Sequence, residues 1–335
     1  MPSVYFNGCI TVEYDGKRIA LDPLRYVDAD LTFVSHAHTD HLSTDSCNVL
    51  ASRETLRIAE VRGYRYASVV DAEDTYSQGL EMIDSGHVVG SKSLLIDGEI
   101  LYTGDLCTRD RAFMKGARLP CCNTLIIEST YGKRGFRFPS IDDVVHRANK
   151  LISELYSRGS SVILMGYPFG KAQVITHLFR HWAPMYIHKS VMNINKICRE
   201  LGIEVGDEHA LLYNNNNDML RGPWIMIAPK QSNATEFVRY MKKHYNAVTV
   251  SFTGWAMGGR MENDYMFPLS DHCDFYELID VVNRCKPEKI YTFHGYAEEF
   301  AGYLRSIGYD AEPLKSAGNG RSKSNSSDTK LINYL

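Results

Sequence analysis

Ser35-His36-Ala37-His38-Thr39-Asp40-His41 decides how this chain is read. It follows the apolar run Leu31-Thr32-Phe33-Val34, which reads as a strand, so three imidazoles and a carboxylate arrive at one strand end. Neutral imidazole is the commonest metal ligand, and carboxylates bind the same ions. His36 and His38 occupy alternate positions and face the same way on an extended segment. Asp40 and His41 lie past the turn, where they can hold a second ion. The plain alternative is a polar loop rich in histidine, but burying such a cluster without partners is costly.

Working outward, further polar residues follow apolar runs. His87 comes after Ile83-Asp84-Ser85-Gly86, Asp105 after Leu101-Tyr102-Thr103-Gly104, and Glu128 after Leu125-Ile126-Ile127. His272 and His294 stand in similar places. Any one of them reads equally well as a hydrogen-bonded structural residue. Together with His36, His38, Asp40 and His41 they form a ligand series.

The chain has 335 residues, 44% of them hydrophobic and 23% charged, enough for a large core and more than one domain. No apolar run has the length of a membrane span, and the first residues lack a signal-peptide pattern, so a cytoplasmic protein without membrane contact is expected. The eight cysteines are scattered, with Cys121 and Cys122 adjacent and no CxxC pair, which favours reduced thiols packed as small apolar groups. Net charge is −3, so no global basic signal points to a polyanion. One local run, Lys133, Arg134 and Arg137, is basic and reads either as a phosphate-binding strip or as a solvated loop.

Short strands dominate the first third. Tyr14-Asp15-Gly16-Lys17 predicts a hairpin turn before the strand Arg18-Ile19-Ala20-Leu21, and Asp97-Gly98 predicts another. From Ile141 the pattern changes to strand–helix alternation. Apolar residues fall at helical spacing from Ile141 to Arg158, Val162-Ile163-Leu164-Met165 is a buried strand, Gly170 to His181 is helical, and Ile225 to Pro229 is a further strand. Punctuation like that of the first third returns at Ser270-Asp271-His272, with a helix from Phe275 to Asn283 and a strand from Lys289 to Phe293. The chain therefore reads as one fold interrupted by an inserted α/β module. Residues 315–330 are rich in Gly, Ser and Asn and are expected to be disordered.

The series HxHxDH, then His87, then Asp105 resembles the metallo-β-lactamase superfamily. The module between Glu128-Ser129-Thr130-Tyr131-Gly132 and Asp271-His272, containing Gly166-Tyr167-Pro168-Phe169-Gly170-Lys171-Ala172-Gln173, resembles the β-CASP nucleases. The resemblance implies an α/β fold, a metallo-β-lactamase αββα sandwich carrying a β-CASP insertion. Its segments are 1–135 and 268–314 for the sandwich, 136–267 for the insertion and 315–335 for a flexible tail. It also implies two divalent ions, Zn²⁺ foremost with Mn²⁺ or Fe as alternatives. His36, His38 and His87 would hold one ion, Asp40, His41 and His294 the other, and Asp105 would bridge them. Asp22 and Glu128 would orient ligands, and His272 would contact phosphate or act as general acid, with Asp40 and Glu128 also counted in the catalytic set.

The implied activity is phosphodiester hydrolysis on a nucleic acid. His294 resembles the RNA-acting members. The segments around Trp255, His272 and His294 most resemble exonucleases associated with DNA ligases, which favours a 5′-directed exonuclease on single-stranded DNA in repair, with a ligase or helicase as partner. Lys133, Arg134, Arg137 and Lys171 are candidate substrate contacts, and Tyr131, Phe136, Tyr167 and Phe169 candidate stacking platforms. Leu331, Tyr334 and Leu335 resemble a degraded sliding-clamp peptide. RNA processing, hydrolysis of a small molecule and a non-catalytic scaffold are the competing readings.

Overall fold

The computed structural model describes residues 3–71, 73, 79–213, 220–258 and 262–314. The expected tail, including Leu331, Tyr334 and Leu335, lies outside the described residues.

The first sheet holds β1 (Ser3–Phe6), β2 (Ile10–Tyr14), β3 (Lys17–Leu21), β4 (Leu31–Phe33) and β5 (Val49–Leu50), in that spatial order. Asp15 and Gly16 close the β2–β3 hairpin with φ of 47° and 73°, the two positive values that a twist-matched two-residue turn requires. Helix α1 (Arg53–Val61) starts at Ser52, whose hydroxyl accepts from Thr55 N, and packs Ile58 and Ala59 against Val34, Val49 and Ala51.

The second sheet begins with β6 (Leu80–Asp84), β7 (Lys92–Ile96), β8 (Ile100–Tyr102) and β9 (Thr124–Glu128). After β9 the chain leaves this sheet and builds another from β10 (Val162–Gly166), β11 (Met185–His188), β12 (Leu211–Tyr213), β13 (Ile225–Pro229), β14 (Val248–Phe252) and β15 (Tyr265–Phe267). The order is β12-β11-β13-β10-β14-β15, parallel throughout. It carries helices α2 (Ile141–Ser157), α3 (Lys171–Phe179), α4 (Lys189–Glu200) and α5 (Glu236–Tyr245). Side-chain alternation sorts its two faces. Val162, Leu164, Ile225 and Ile227 enter one core, and Ile163, Met165, Met226 and Ala228 the other.

The chain then returns through α6 (Phe275–Cys285), β16 (Lys289–Phe293), α7 (Ala297–Ser306) and β17 (Ala311–Pro313), completing the order β17-β16-β9-β8-β7-β6. Strands β9 and β16 run parallel, with Lys289 opposite Thr124 and Phe293 opposite Glu128. The excursion thus begins and ends on adjacent strands, and Glu128 and His294 come side by side. Ile96, Ile100, Tyr102 and Ile126 of this sheet meet Val12, Ile19, Leu21 and Phe33 of the first, while Leu95, Leu101, Leu125 and Ile127 face α6 and α7. The layers are helix, sheet, sheet, helix, as the resemblance implies. Sequence periodicity missed β11, α4 and α5. The expected helix from Gly170 begins one residue later, because Gly170 has φ of 88°.

Asp274 secures the returning segment. Its Oδ1 accepts from Tyr276 N (2.9 Å) and Glu277 N (3.0 Å), its Oδ2 accepts from Phe138 N (2.8 Å), and Glu277 Oε2 accepts from Asp274 N. Asp274→Ala removes a helix cap and strands a third donor, which is expected to destabilise the fold by about 2–4 kcal/mol, measured by urea denaturation. A loss within about 0.5 kcal/mol, the range of an unremarkable surface change, would contradict this account.

Candidate metal centre

Five strand ends deliver the polar residues to one edge of the sandwich. His36 and His38 follow β4, His41 closes the short turn Thr39–His41, and His87 follows β6. Asp105 follows β8, Glu128 ends β9, and His294 follows β16 with φ of 60°. Gly295 is needed beside it, since a Cβ there would lie 2.4 Å from Thr130 Cα. Asp105 sits at the middle. Its Oδ2 lies 3.6 Å from His36 Nε2, 3.6 Å from His41 Nε2, 3.5 Å from His87 Nε2 and 4.0 Å from His272 Nε2, and its Oδ1 lies 3.7 Å from His294 Nδ1.

The outward nitrogens fix what the inward ones offer. His38 Nε2 is 3.2 Å from the Phe169 carbonyl and His87 Nδ1 is 3.0 Å from the Asp271 carbonyl. A carbonyl only accepts, so both outward nitrogens carry hydrogen, and in a neutral ring the inward ones carry lone pairs. Ser35 Oγ donates to Asp22 Oδ2 (2.6 Å), so it receives the proton of His36 Nδ1 at 2.9 Å. Three lone pairs therefore converge, with His38 Nδ1 3.1 Å from His36 Nε2 and 3.2 Å from His87 Nε2. Acceptors do not face acceptors at such distances without a cation. Tetrahedral zinc with imidazole ligands spaces their nitrogens by about 3.3 Å. Burial lowers the pKa of all three rings, reinforced at His36 and His87 by neighbouring histidines, which keeps them in the ligand form.

His36, His38, His87 and Asp105 thus form one group, and His41, Asp105 and His294 a second. His41 Nε2 and Asp105 Oδ1 are buried without hydrogen-bond partners, as expected of atoms kept for an ion. Burial opposes charge on His41, but Asp105 and Asp22 outweigh it and raise its pKa to about 10, so a proton or another cation belongs there. Asp22 Oδ2 accepts from His41 Nδ1 (2.9 Å) and from the Tyr102 hydroxyl (2.8 Å), while its Oδ1 accepts from Ser35 N (2.7 Å). The residues fit divalent cations at both positions.

The structure departs from the sequence reading at several points. Asp40 is exposed on the Thr39–His41 turn and its carboxylate stands outside both groups, acting on His38 and His41 only through its charge. Lys171 is 2% exposed and donates to Leu269 O (2.7 Å) and Asp271 Oδ1 (2.8 Å), so its ammonium is consumed inside the protein rather than offered to substrate. Tyr131, Phe136 and Phe169 are buried as packing aromatics, whereas Tyr167 is exposed. Lys133, Arg134 and Arg137 are exposed, each over a tyrosine: Tyr296, Tyr303 and Tyr276. Glu128 is fully buried. It accepts from Leu106 N (2.7 Å), Thr130 N (3.1 Å) and His272 Nδ1 (2.8 Å), which turns His272 Nε2 toward Asp105. Burial opposes charge on His272, yet Glu128 and Asp105 raise its pKa to about 9.

Sequence reading missed Ser35, Tyr102, Asp271 and Arg111. The first and third stand directly before His36 and His272, a signal of adjacency. Tyr102 and Arg111 left none.

Two packed sheets with an imidazole–carboxylate centre at their edge define a metallo-β-lactamase-type protein. No protein-family model matches the chain. It is 30% identical over 294 residues to a probable DNA ligase of Opitutus terrae, covering 84% of this chain and 28% of that protein. It is 27% identical over 252 residues to a probable RNase of Methanocaldococcus jannaschii, covering 57% of this chain and 58% of that protein. It is 23% identical over 389 aligned residues to the transcription termination factor FttA of the same archaeon, covering 84% and 61%. The chain spans less than two thirds of the length of each of these curated relatives. A solved structure of a protein of unknown function from Enterococcus faecalis V583 shares its fold, with a TM-score of 0.59 and 13% identity over 95% of this chain and 97% of that one. The fold, the cluster and these relatives agree with the β-CASP branch of the metallo-β-lactamase family that the sequence resembles.

Asp22→Ala frees the His41 ring and is expected to weaken metal binding by about 10- to 100-fold, measured by chelator competition with Zn²⁺. Unchanged affinity in a folded variant would show that Asp22 does not serve the centre.

Proposed function

We propose that this protein is a metal-dependent nuclease that hydrolyses phosphodiester bonds, acting as a 5′-directed exonuclease on single-stranded DNA in repair. The observation that carries hydrolysis is the convergence of imidazole lone pairs and the Asp105 carboxylate beside the Glu128–His272 pair. Two divalent ions held there, Zn²⁺ foremost with Mn²⁺ or Fe as alternatives, would polarise a phosphate oxygen and lower the pKa of a bound water. His36, His38, His87 and Asp105 would hold one, and His41, His294 and Asp105 the other. Glu128 keeps the His272 ring oriented, and His272 Nε2 supplies a proton to the leaving oxygen.

Access is from the His294 side. The His294 side chain is 46% exposed, whereas His36 and His87 are at most 1% exposed. Trp255 stands at this mouth, 4.9 Å from Tyr131 and 6.4 Å from Tyr296 by ring centroid, and Tyr167 is also open to solvent. These two aromatics can stack bases, and Lys133, Arg134 and Arg137 can take backbone phosphates. DNA is favoured by the long match to a protein named as a probable DNA ligase, which also suggests a ligase or helicase as partner. RNA is the second reading, favoured by relatives named as RNases.

Matched 5′- and 3′-labelled DNA and RNA single strands test the proposal. Mononucleotides released first from the 5′ end of DNA, with Zn²⁺ or Mn²⁺ required, is the expected result. Preferential cleavage of RNA reverses the substrate assignment, and no cleavage of either removes it. His272→Ala should lower kcat by about 10²- to 10⁴-fold. Replacing Lys133, Arg134 and Arg137 by Ala should flatten the logarithmic salt dependence of single-strand binding by about 2, at ~0.7 per phosphate contact. An unchanged slope would place the strand elsewhere.

A further inference from the structure

The β10–α3 turn of the inserted module, Pro168 to Lys171, reaches two ligands of the same proposed ion. Phe169 touches the first directly, its carbonyl accepting from His38 Nε2. Lys171 reaches the second through one intermediate. Its ammonium, 2% exposed, donates to Asp271 Oδ1 at 2.8 Å and to Leu269 O, and the backbone carbonyl of that same Asp271 accepts from His87 Nδ1 at 3.0 Å. Arg111, 3% exposed, closes the arrangement from the sandwich. Its guanidinium donates to Gly86 O and His87 O and lies 3.6 Å from Asp271 Oδ1 through Nε. Gly170 lets the turn come this close, since a Cβ there would lie 2.4 Å from Val88 Cγ1, next to His87.

Two buried cations and one buried carboxylate are costly to desolvate, and hydrophobic replacements of similar volume often hold a fold as well or better. Stability alone therefore does not explain them. What they do here is fix the Asp271 backbone, which sets the tautomer and direction of the His87 ring. We infer that Lys171, with Asp271 and Arg111, is a positioning device by which the docked insertion sets metal affinity at the His36–His38–His87 position. The His41–Asp105–His294 position has its own support in Asp22 and does not depend on this turn.

The inference rests on reading the cluster as a metal centre, and the test separates the two. Zn²⁺ is titrated into the full-length, metal-stripped protein against a chromophoric chelator, with Co²⁺ absorption as a second readout. Wild-type protein that takes up no metal ends the metal reading itself. With a metal-binding wild type, Lys171→Gln should weaken one of the two binding steps by about 10- to 100-fold and leave the other within about threefold, with an altered Co²⁺ spectrum. Lys171→Arg, which restores the cation, should recover most of that loss. Val174→Ala, a cavity variant in the insertion core one turn along α3, controls for a purely structural effect and should lower thermal stability without shifting either step. The inference is overturned if Lys171→Gln binds both ions as the wild type does, if it weakens both steps equally, or if Val174→Ala reproduces its profile. Should Lys171→Gln fail to fold, Arg111→Lys takes its place. It keeps the charge but loses the paired donors to Gly86 and His87, so it should weaken the same step, and wild-type binding would overturn the inference.

Discussion

Everything at this edge of the molecule depends on the Asp105 carboxylate being held, 5% exposed, beneath imidazoles whose outward nitrogens are already committed. Burial opposes its charge, and the surrounding histidines, His41 and His272 foremost, more than compensate and hold its carboxyl well below the usual range. The arrangement is stable only with positive charge among the rings, as protons or as metal. Each outward partner comes from a different part of the chain: Asp22 and Ser35 from the first sheet, Phe169 from the insertion, Asp271 from the returning segment and Glu128 from the second sheet. No local fragment assembles the centre, so the centre reports on completion of the whole fold.

The environment also divides the histidines by task. His36, His38 and His87 are held neutral by burial, reinforced at His36 and His87 by neighbouring histidines. His41 and His272 are pulled the other way by carboxylates, Asp105 and Asp22 on His41 and Glu128 and Asp105 on His272. Chemically identical side chains within a few ångströms thus differ in how strongly their surroundings favour positive charge. A carbonyl or hydroxyl stands on the outward side of the neutral rings, whereas Asp22 on His41 and Glu128 on His272 add to the charge of Asp105.

Much of this was legible in the sequence, because strand ends are legible. His87, Asp105, Glu128 and His294 each follow a short apolar run, and parallel or antiparallel pairing then brings such ends to one sheet edge. Asp15-Gly16 and Asp97-Gly98 announced their hairpins through the backbone conformation that such pairs tolerate. What was not legible depends on burial. Lys171 and Arg137 look alike in sequence, yet one is buried against Asp271 and the other is exposed over Tyr276. Tyr131 and Phe169 read as platforms for bases and prove to be packing residues, whereas Trp255, which the same logic would have favoured, reaches the surface. Strand β11 offers only the short apolar run Met185-Tyr186-Ile187, whereas the helical spacing of Val191, Ile194, Ile197 and Cys198 in α4 and of Val238 and Met241 in α5 was present in the sequence and went unread.

The insertion is more than a lid laid over a finished site. Val34, Ala37, Val88 and Val89 of the sandwich share one hydrophobic core with Phe169, Ile194, Ile197 and Cys198 of the insertion. The shared core ties the insertion to the loops that carry His36, His38 and His87. His36, His41, His87 and Asp105 are buried and His38 is half-buried, whereas His294 is exposed near Trp255 and Lys133. Aromatic and cationic side chains lie on the exposed side of the centre, beside His294. The exposed ligand His294 is the one whose surroundings the fold leaves most open.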